Sequence, residues 1–280
     1  MSILIDKCIE ICRPIPIRGK ATLFHRFVPH EGTRTIKVSD GFLMELDLQN
    51  AQHRMIFMGC FSPHIASVVR ALVPEGGVFL DVGANVGYFS LLGHGLVGSR
   101  GRVVAVEPTP STCETLRANI ERNGFEKIEL NPIALGDENT SLRLYMPPAA
   151  EHRDFNVTTQ EAEGWTPVDV SCRRLDDVLK EWNVERVDLM KIDVEGFEPK
   201  VFAGGEESLK SGVIRHLITE VNGYRLTHNG VTPRQYFDQI ESLGFRHARL
   251  SHGRAVPSPV KEQDLDPNGE SDLLFVHQSV

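Results

Sequence analysis

A doubly wound, mostly parallel α/β sheet of seven strands, with a small helix-and-hairpin cap at the N-terminus, is the fold class this sequence predicts. Three observations predict it. From Pro63 onward, short apolar runs alternate with amphipathic ones, the pattern of strands joined by crossover helices. A glycine-bearing turn, Gly83-Ala84-Asn85-Val86-Gly87, stands where the first of those strands gives way to a helix. The 280 residues suffice for one large domain of about 220 residues, 61–280, behind a cap formed by residues 1–60.

The cap reads as a short helix followed by extended runs Thr35–Val38 and Phe42–Leu48 about the turn Ser39-Asp40-Gly41. Ile65, Val68, Val69 and Leu72 then fall at i, i+3, i+4 and i+7, one face of a helix. Strand Val78–Val82, the glycine turn and an apolar helix through Leu96 follow. Strand Arg102–Val106 leads to helix Pro110–Asn123, opened by proline and closed at Asn123-Gly124. A third strand, Lys127–Ala134, runs through Gly136-Asp137 into another extended stretch, Leu142–Met146. Residues Pro147–Pro167, with Phe155 and Trp165, lack periodicity and read as a loop, of a length often used as a lid. Helix Leu175–Trp182 precedes strand Val187–Ile192, and strand Ile214–Val221 follows two helical stretches broken at Gly204-Gly205. A helix opened at Thr232-Pro233 stops at Gly244. Strands Phe245–Leu250 and Leu273–His277 lack a helical crossover between them, so their pairing should be antiparallel.

Thirty basic against 38 acidic residues leave a net charge of -8. That argues against a nucleic-acid partner, whose phosphates require a basic face. No stretch approaches ~20 consecutive apolar residues, so no membrane insertion is expected. Asp6, Lys7 and Glu10 interrupt the apolar positions of the first twelve residues, unlike a secretory signal. Five scattered cysteines suit a reducing compartment, and the expected location is cytoplasmic. Cys8 and Cys12 share one helix face, but with no second Cys/His pair nearby they read as small apolar residues, not metal ligands.

The glycine turn suits a nucleotide-type ligand, because glycine lets the backbone bend sharply and approach it closely. A dinucleotide fingerprint needs glycine at the first, third and sixth positions, which are Gly83, Asn85 and Tyr88 here. Asp81, two residues before the turn, suits a cationic group better than a pyrophosphate. Glu107, twenty residues after Gly87, is placed to accept ribose hydroxyls. The ligand that combines these features is S-adenosyl-L-methionine.

The segments FLDVGANVGYFSLL, VVAVEPTP, NPIALGD and VDLMKIDVEGFEPKVFAGG occur in that order between residues 79 and 205, within a resemblance that covers about residues 41–250. They resemble the FkbM family of S-adenosylmethionine-dependent methyltransferases. The resemblance implies a Rossmann-like class I methyltransferase fold and O-methylation of hydroxyls on sugars, glycans or small natural products. It further implies Asp81, Gly83, Asn85 and Gly87 around the methionine moiety, Glu107 at the ribose, and Ala134 and Leu135 beside the adenine. Many members carry an aromatic–Glu pair where this chain has Phe61-Ser62, so no role for that glutamate carries over. A nucleic-acid methyltransferase on the same fold, or a catalytically silent S-adenosylmethionine-binding regulator, stands as the alternative.

For the chemistry, Asp193 lies at the carboxyl end of the fourth core strand, where open α/β sheets meet their ligands. It is the first candidate for the base that takes the acceptor's proton, and Glu195 the second, with Glu220 and His228 next. Glu198 reads as a solvated turn residue, and Lys191 is expected to enter the site less readily than Asp193, on the argument that strand neighbours alternate faces. Asp193 with Glu220 or Asn222 could ligate Mg²⁺; for want of a third protein ligand, no metal is assigned.

Overall fold

The computed structural model describes residues 2–13, 15, 19–20, 27–147, 159, 161 and 163–280. A hairpin of β1 (Thr33–Lys37) and β2 (Leu43–Asp47) stands apart, paired antiparallel. The remaining strands are β3 (Val78–Val82), β4 (Arg102–Val106), β5 (Ile128–Asn131), β6 (Ala134–Gly136), β7 (Thr140–Met146), β8 (Thr166–Arg174), β9 (Leu189–Ile192), β10 (His216–Asn222), β11 (Phe245–Ser251), β12 (Arg254–Pro257) and β13 (Glu270–His277).

The main sheet runs in the order β12-β11-β13-β10-β9-β3-β4-β5. From β3 the chain winds outward through β4 to β5, then returns to the other side of β3 with β9 and β10, all parallel. The expected antiparallel pairing at the end of the chain is present, and β13 is antiparallel to both its neighbours, β10 and β11. Seven strands match the expected sheet. The eighth, β12, is a short edge strand folded back on β11, with one side chain half-buried and the others exposed, so its sequence carries no apolar alternation.

Two further elements differ from expectation. The run Lys127–Ala134 is two strands: β5 belongs to the main sheet, and β6 departs into a second sheet of order β6-β8-β7. Pro132 lies between them and has no N–H to offer a ladder, which accounts for the break. β8 lies beyond the strands that the sequence predicts; its Val168, Val170 and Cys172 alternate toward a small apolar cluster with Ala134 and Leu144, while Asp169 and Ser171 between them are exposed. Of the expected 147–167 loop, Phe155 lies outside the described residues.

Within residues 1–60 a helix at Ala51–Met58 was also unforeseen. Asn50 caps it by accepting the N–H groups of Gln52 and His53, and Gly59 ends it at φ 68°. Two apolar cores flank the main sheet. One contains Phe79, Val103, Ala105 and Leu116 together with Met44, Leu46 and Phe57 of the N-terminal segment. The other contains Leu80, Val104, Met190, Phe202 and Phe275. Neighbours such as Phe79 and Leu80 thus point to opposite faces. The N-terminal hairpin and helix share a core with the sheet. No single helix among the described residues is long and apolar enough to cross a membrane.

Candidate active site

The parallel sheet reverses its winding between β3 and β9, the place where an open α/β sheet leaves a crevice at its carboxyl edge. A cavity of about 920 Å³ opens there. That is near the upper end for ligand sites. It is lined by Gly83, Asn85, Glu107, Ala134, Leu135, Asp193 and Glu195 among the sequence-predicted residues. Asp81 and Gly87 do not line it.

The glycine turn owes its composition to contacts on both sides. Gly83 has φ 72°, and a Cβ there would overlap the carbonyl of Asp193. Gly83 and Ala84 both donate backbone N–H to Val106 O, at 2.9 and 3.0 Å, which ties the turn to the end of β4. Gly87 has φ 93°, and a Cβ there would overlap Leu116 of the neighbouring helix. That close approach to Leu116 by itself requires glycine here. Asp81 is fully buried below the cavity; its Oδ2 accepts the Ser90 hydroxyl at 2.6 Å, and burial pushes its carboxyl above the usual range.

Glu107 is buried at the cavity wall and accepts two backbone N–H groups, from Asn85 to Oε2 and from Thr109 to Oε1, each at 3.0 Å. Burial pushes its carboxyl up while those N–H bonds oppose the shift. Each carboxylate oxygen retains a lone pair, so Glu107 can still accept from a ligand hydroxyl.

Lys191 enters the site, contrary to the alternation argument. It pairs in register with Asp81, and its Nζ lies 3.3 Å from Asp193 Oδ2, 3.1 Å from Gly83 O and 3.9 Å from Asp81 Oδ1. Alternation separates only adjacent residues; Lys191 and Asp193 are two apart, so alternation gives them one face and Lys191 follows Asp193 into the site. Burial disfavours the ammonium, but Asp193 and Asp81 outweigh it and hold the Lys191 pKa above its ordinary value.

Glu198 is likewise no solvated turn residue. It is 1% exposed, accepts Val194 N–H at 2.8 Å, and is pushed up to about 7 by burial. Glu195 has φ 61°, a conformation costly for a non-glycine residue, and pairs with Arg225. Burial and then Asp193 push it up to about 8. Glu220 reaches about 10 through burial and repulsion from Asp193 and Glu195. Oxygens of Asp193, Glu195 and Glu220 lie within 4.8 Å of one another, close enough to share a cation or protons. Asn222 is otherwise engaged: its Oδ1 caps the next helix by accepting Arg225 N–H at 3.1 Å.

Several lining residues escaped the sequence reading. Gln52 and His53 come from the unforeseen helix, for which Asn50 as N-cap was the available signal. Tyr224, 67% exposed, stacks on His228 at 5.9 Å between ring centroids, and both rings line the cavity. Trp165, which the sequence singles out in the 147–167 loop, lines it as well.

A family description, the methyltransferase FkbM domain, matches residues 81–247. The AMB antimetabolite synthetase AmbE of Pseudomonas aeruginosa is 28% identical over 77% of this chain, which spans only 12% of that protein. The 31-O-demethyl-FK506 methyltransferase FkbM of Streptomyces tacrolimicus is 32% identical over 52% of this chain and 66% of its own length. The 2-O-methyltransferase NoeI of Sinorhizobium fredii is 26% identical over 63% of this chain and 76% of its own.

Proposed function

This chain belongs to the FkbM methyltransferase family, and from that premise we propose that it transfers the methyl group of S-adenosylmethionine to a hydroxyl of a sugar, glycan or small natural product. The observation that carries the reading is the cavity at the sheet's switch point, where the glycine turn, Glu107 and Asp193 share one wall system. Relatives named as 2-O-methyltransferase and hexuronic acid methyltransferase favour a saccharide hydroxyl. The acidic balance of the chain favours weak, non-specific binding to nucleic acid and an acceptor that is not one. We place the protein in the cytoplasm on its cysteine usage.

When bound, S-adenosylmethionine supplies an electrophilic methyl carbon on a sulfonium. The chain then has to align the acceptor oxygen and receive its proton. Alignment is worth up to ~7–11 kcal/mol and a positioned base roughly 10²–10⁴-fold. Asp193 is the base of first choice: it is half-exposed to the cavity and steadied by Lys191. Glu195 is second, because with its pKa raised to about 8 it is largely protonated at neutral pH. Glu107 holds the ribose, and Ala134 and Leu135 offer the adenine an apolar wall. Exposed Tyr224, stacked on His228, offers a sugar ring an aromatic face at the cavity mouth.

The test has two stages. S-adenosylmethionine or S-adenosylhomocysteine should raise the melting temperature, with about 2.7 kcal/mol of stabilisation at 100 times the dissociation constant, and NAD should not. Cell extract incubated with methyl-labelled cofactor should then yield a labelled hydroxyl compound by mass spectrometry. Stabilisation by NAD alone, or label confined to nucleic acid, would sink the reading.

A further inference from the structure

The assignment of Glu107 to the ribose and Asp193 to the reacting end leaves a third wall of the cavity without a ligand group. Helix Ala51–Met58 begins at that wall, with Gln52 and His53 in its first turn and both lining the cavity. Each presents a donor. Gln52 Oε1 accepts Asn85 Nδ2 at 2.8 Å, which leaves its NH₂ for other partners. His53 is 8% exposed, and its Nδ1 accepts Asp47 N–H at 3.0 Å, so the ring proton belongs on Nε2. Among the described residues that Nε2 has no partner. Burial lowers the His53 pKa, which keeps the ring neutral.

A second helix, Tyr88–Val97, also starts beside this wall, with Asn85, Val86 and Tyr88 lining the cavity. Two helix N-termini and two outward donors suit an anionic oxygen group. S-adenosylmethionine has one such group, the carboxylate of its methionine moiety, and two cationic ones, the ammonium and the sulfonium. Two helix N-termini repel the cations, so of these groups only the carboxylate suits this wall. Asp47 also lines the donor wall, but it is solvent-exposed and already accepts Gln49 N–H at 3.0 Å.

We propose that Gln52 and His53 bind the carboxylate of the cofactor's methionine moiety, which makes the N-terminal segment part of the cofactor site. This rests on the S-adenosylmethionine reading above. The experiment compares two probes by calorimetry: S-adenosylhomocysteine, which carries that carboxylate, and 5′-methylthioadenosine, which has the same nucleoside and no amino-acid portion. Gln52→Glu puts a negative charge against the carboxylate and should weaken S-adenosylhomocysteine at least about tenfold, leaving 5′-methylthioadenosine unchanged. Gln52→Ala should weaken S-adenosylhomocysteine alone by a smaller factor, about threefold to tenfold. The ligand-free melting temperature of each variant checks that it folds, and Gln52→Ala decides the matter if Gln52→Glu does not. Equal weakening of both probes, or wild-type affinity for S-adenosylhomocysteine, would overturn the inference. Wild-type protein that binds neither probe would overturn the cofactor reading and this inference with it.

Discussion

Replacing Glu107 with Gln tests a residue that the structure uses in two ways at once. The side chain keeps its volume but has one carbonyl oxygen where the carboxylate has two, and both are in use. Oε2 takes Asn85 N–H and Oε1 takes Thr109 N–H, each at 3.0 Å. In the variant one of those buried donors must face an NH₂ group. An unpaired buried donor costs about 1–3 kcal/mol, and each kcal/mol lowers the melting temperature of a chain of this size by roughly 2–4 °C. The ribose suffers separately. Its hydroxyls lose a charged acceptor, and hydrogen bonds to charged groups contribute roughly 1.5–3 kcal/mol. Cofactor affinity should therefore fall about tenfold to a hundredfold. Calorimetry with S-adenosylhomocysteine reads the second effect, and melting of the ligand-free protein reads the first. A variant that melts lower yet binds with wild-type affinity refutes the ribose assignment and leaves Glu107 as a strut between two loops.

Asp193→Asn should keep cofactor affinity and lose turnover by about two orders of magnitude or more; collapsed affinity with turnover preserved at saturation would instead make Asp193 a binding residue. Asp272, Glu198, Glu195 and Glu220 are raised to about 6, 7, 8 and 10, so the folded chain keeps protons that the unfolded chain has lost. The stability they contribute is complete below the ordinary carboxyl values, 3.8 for Asp272 and 4.5 for the glutamates, and is lost as pH climbs through 6 to 10. Glu220→Gln should flatten that decline in urea midpoints measured at pH 6 and pH 9, and an unchanged slope would count against the buried acid cluster. Gly87→Ala should destabilise by about 1–3 kcal/mol, from strain at φ 93° and overlap with Leu116. Its folded fraction should bind S-adenosylhomocysteine normally; a loss of affinity without a loss of stability would return Gly87 to the ligand.

The strands and helices that the sequence made legible are those with an apolar side to bury. Strand Val78–Val82, helix Pro110–Asn123 with its proline start and glycine stop, and the helix opened at Thr232-Pro233 all announce themselves within a few residues. Edge strand β12 does not, because an exposed strand needs no apolar alternation, whereas β8 does carry a period-2 signal in Val168, Val170 and Cys172. The break at Pro132 was readable in principle, since proline cannot donate to a ladder. So was the helix at Ala51–Met58, from Asn50 as its cap. The candidate site divides the same way. The glycine turn, Glu107 and Asp193 are legible because each sits at a strand end of recognisable type.

By itself, then, the sequence determined the sheet class, the glycine turn and the acidic residues at the strand ends, because these follow from local periodicity and backbone chemistry. Tertiary structure alone decided which side chains meet. Gln52 reaches Asn85 across 33 residues, Arg225 pairs with Glu195, and Lys191 reaches both Gly83 O and Asp193. It also decided that Glu198, charged and polar by type, is buried, and that Glu195 and Glu220 titrate far above a free carboxyl. Desolvation and like-charge repulsion depend on every group packed nearby, and a linear pattern of residues does not carry that arrangement.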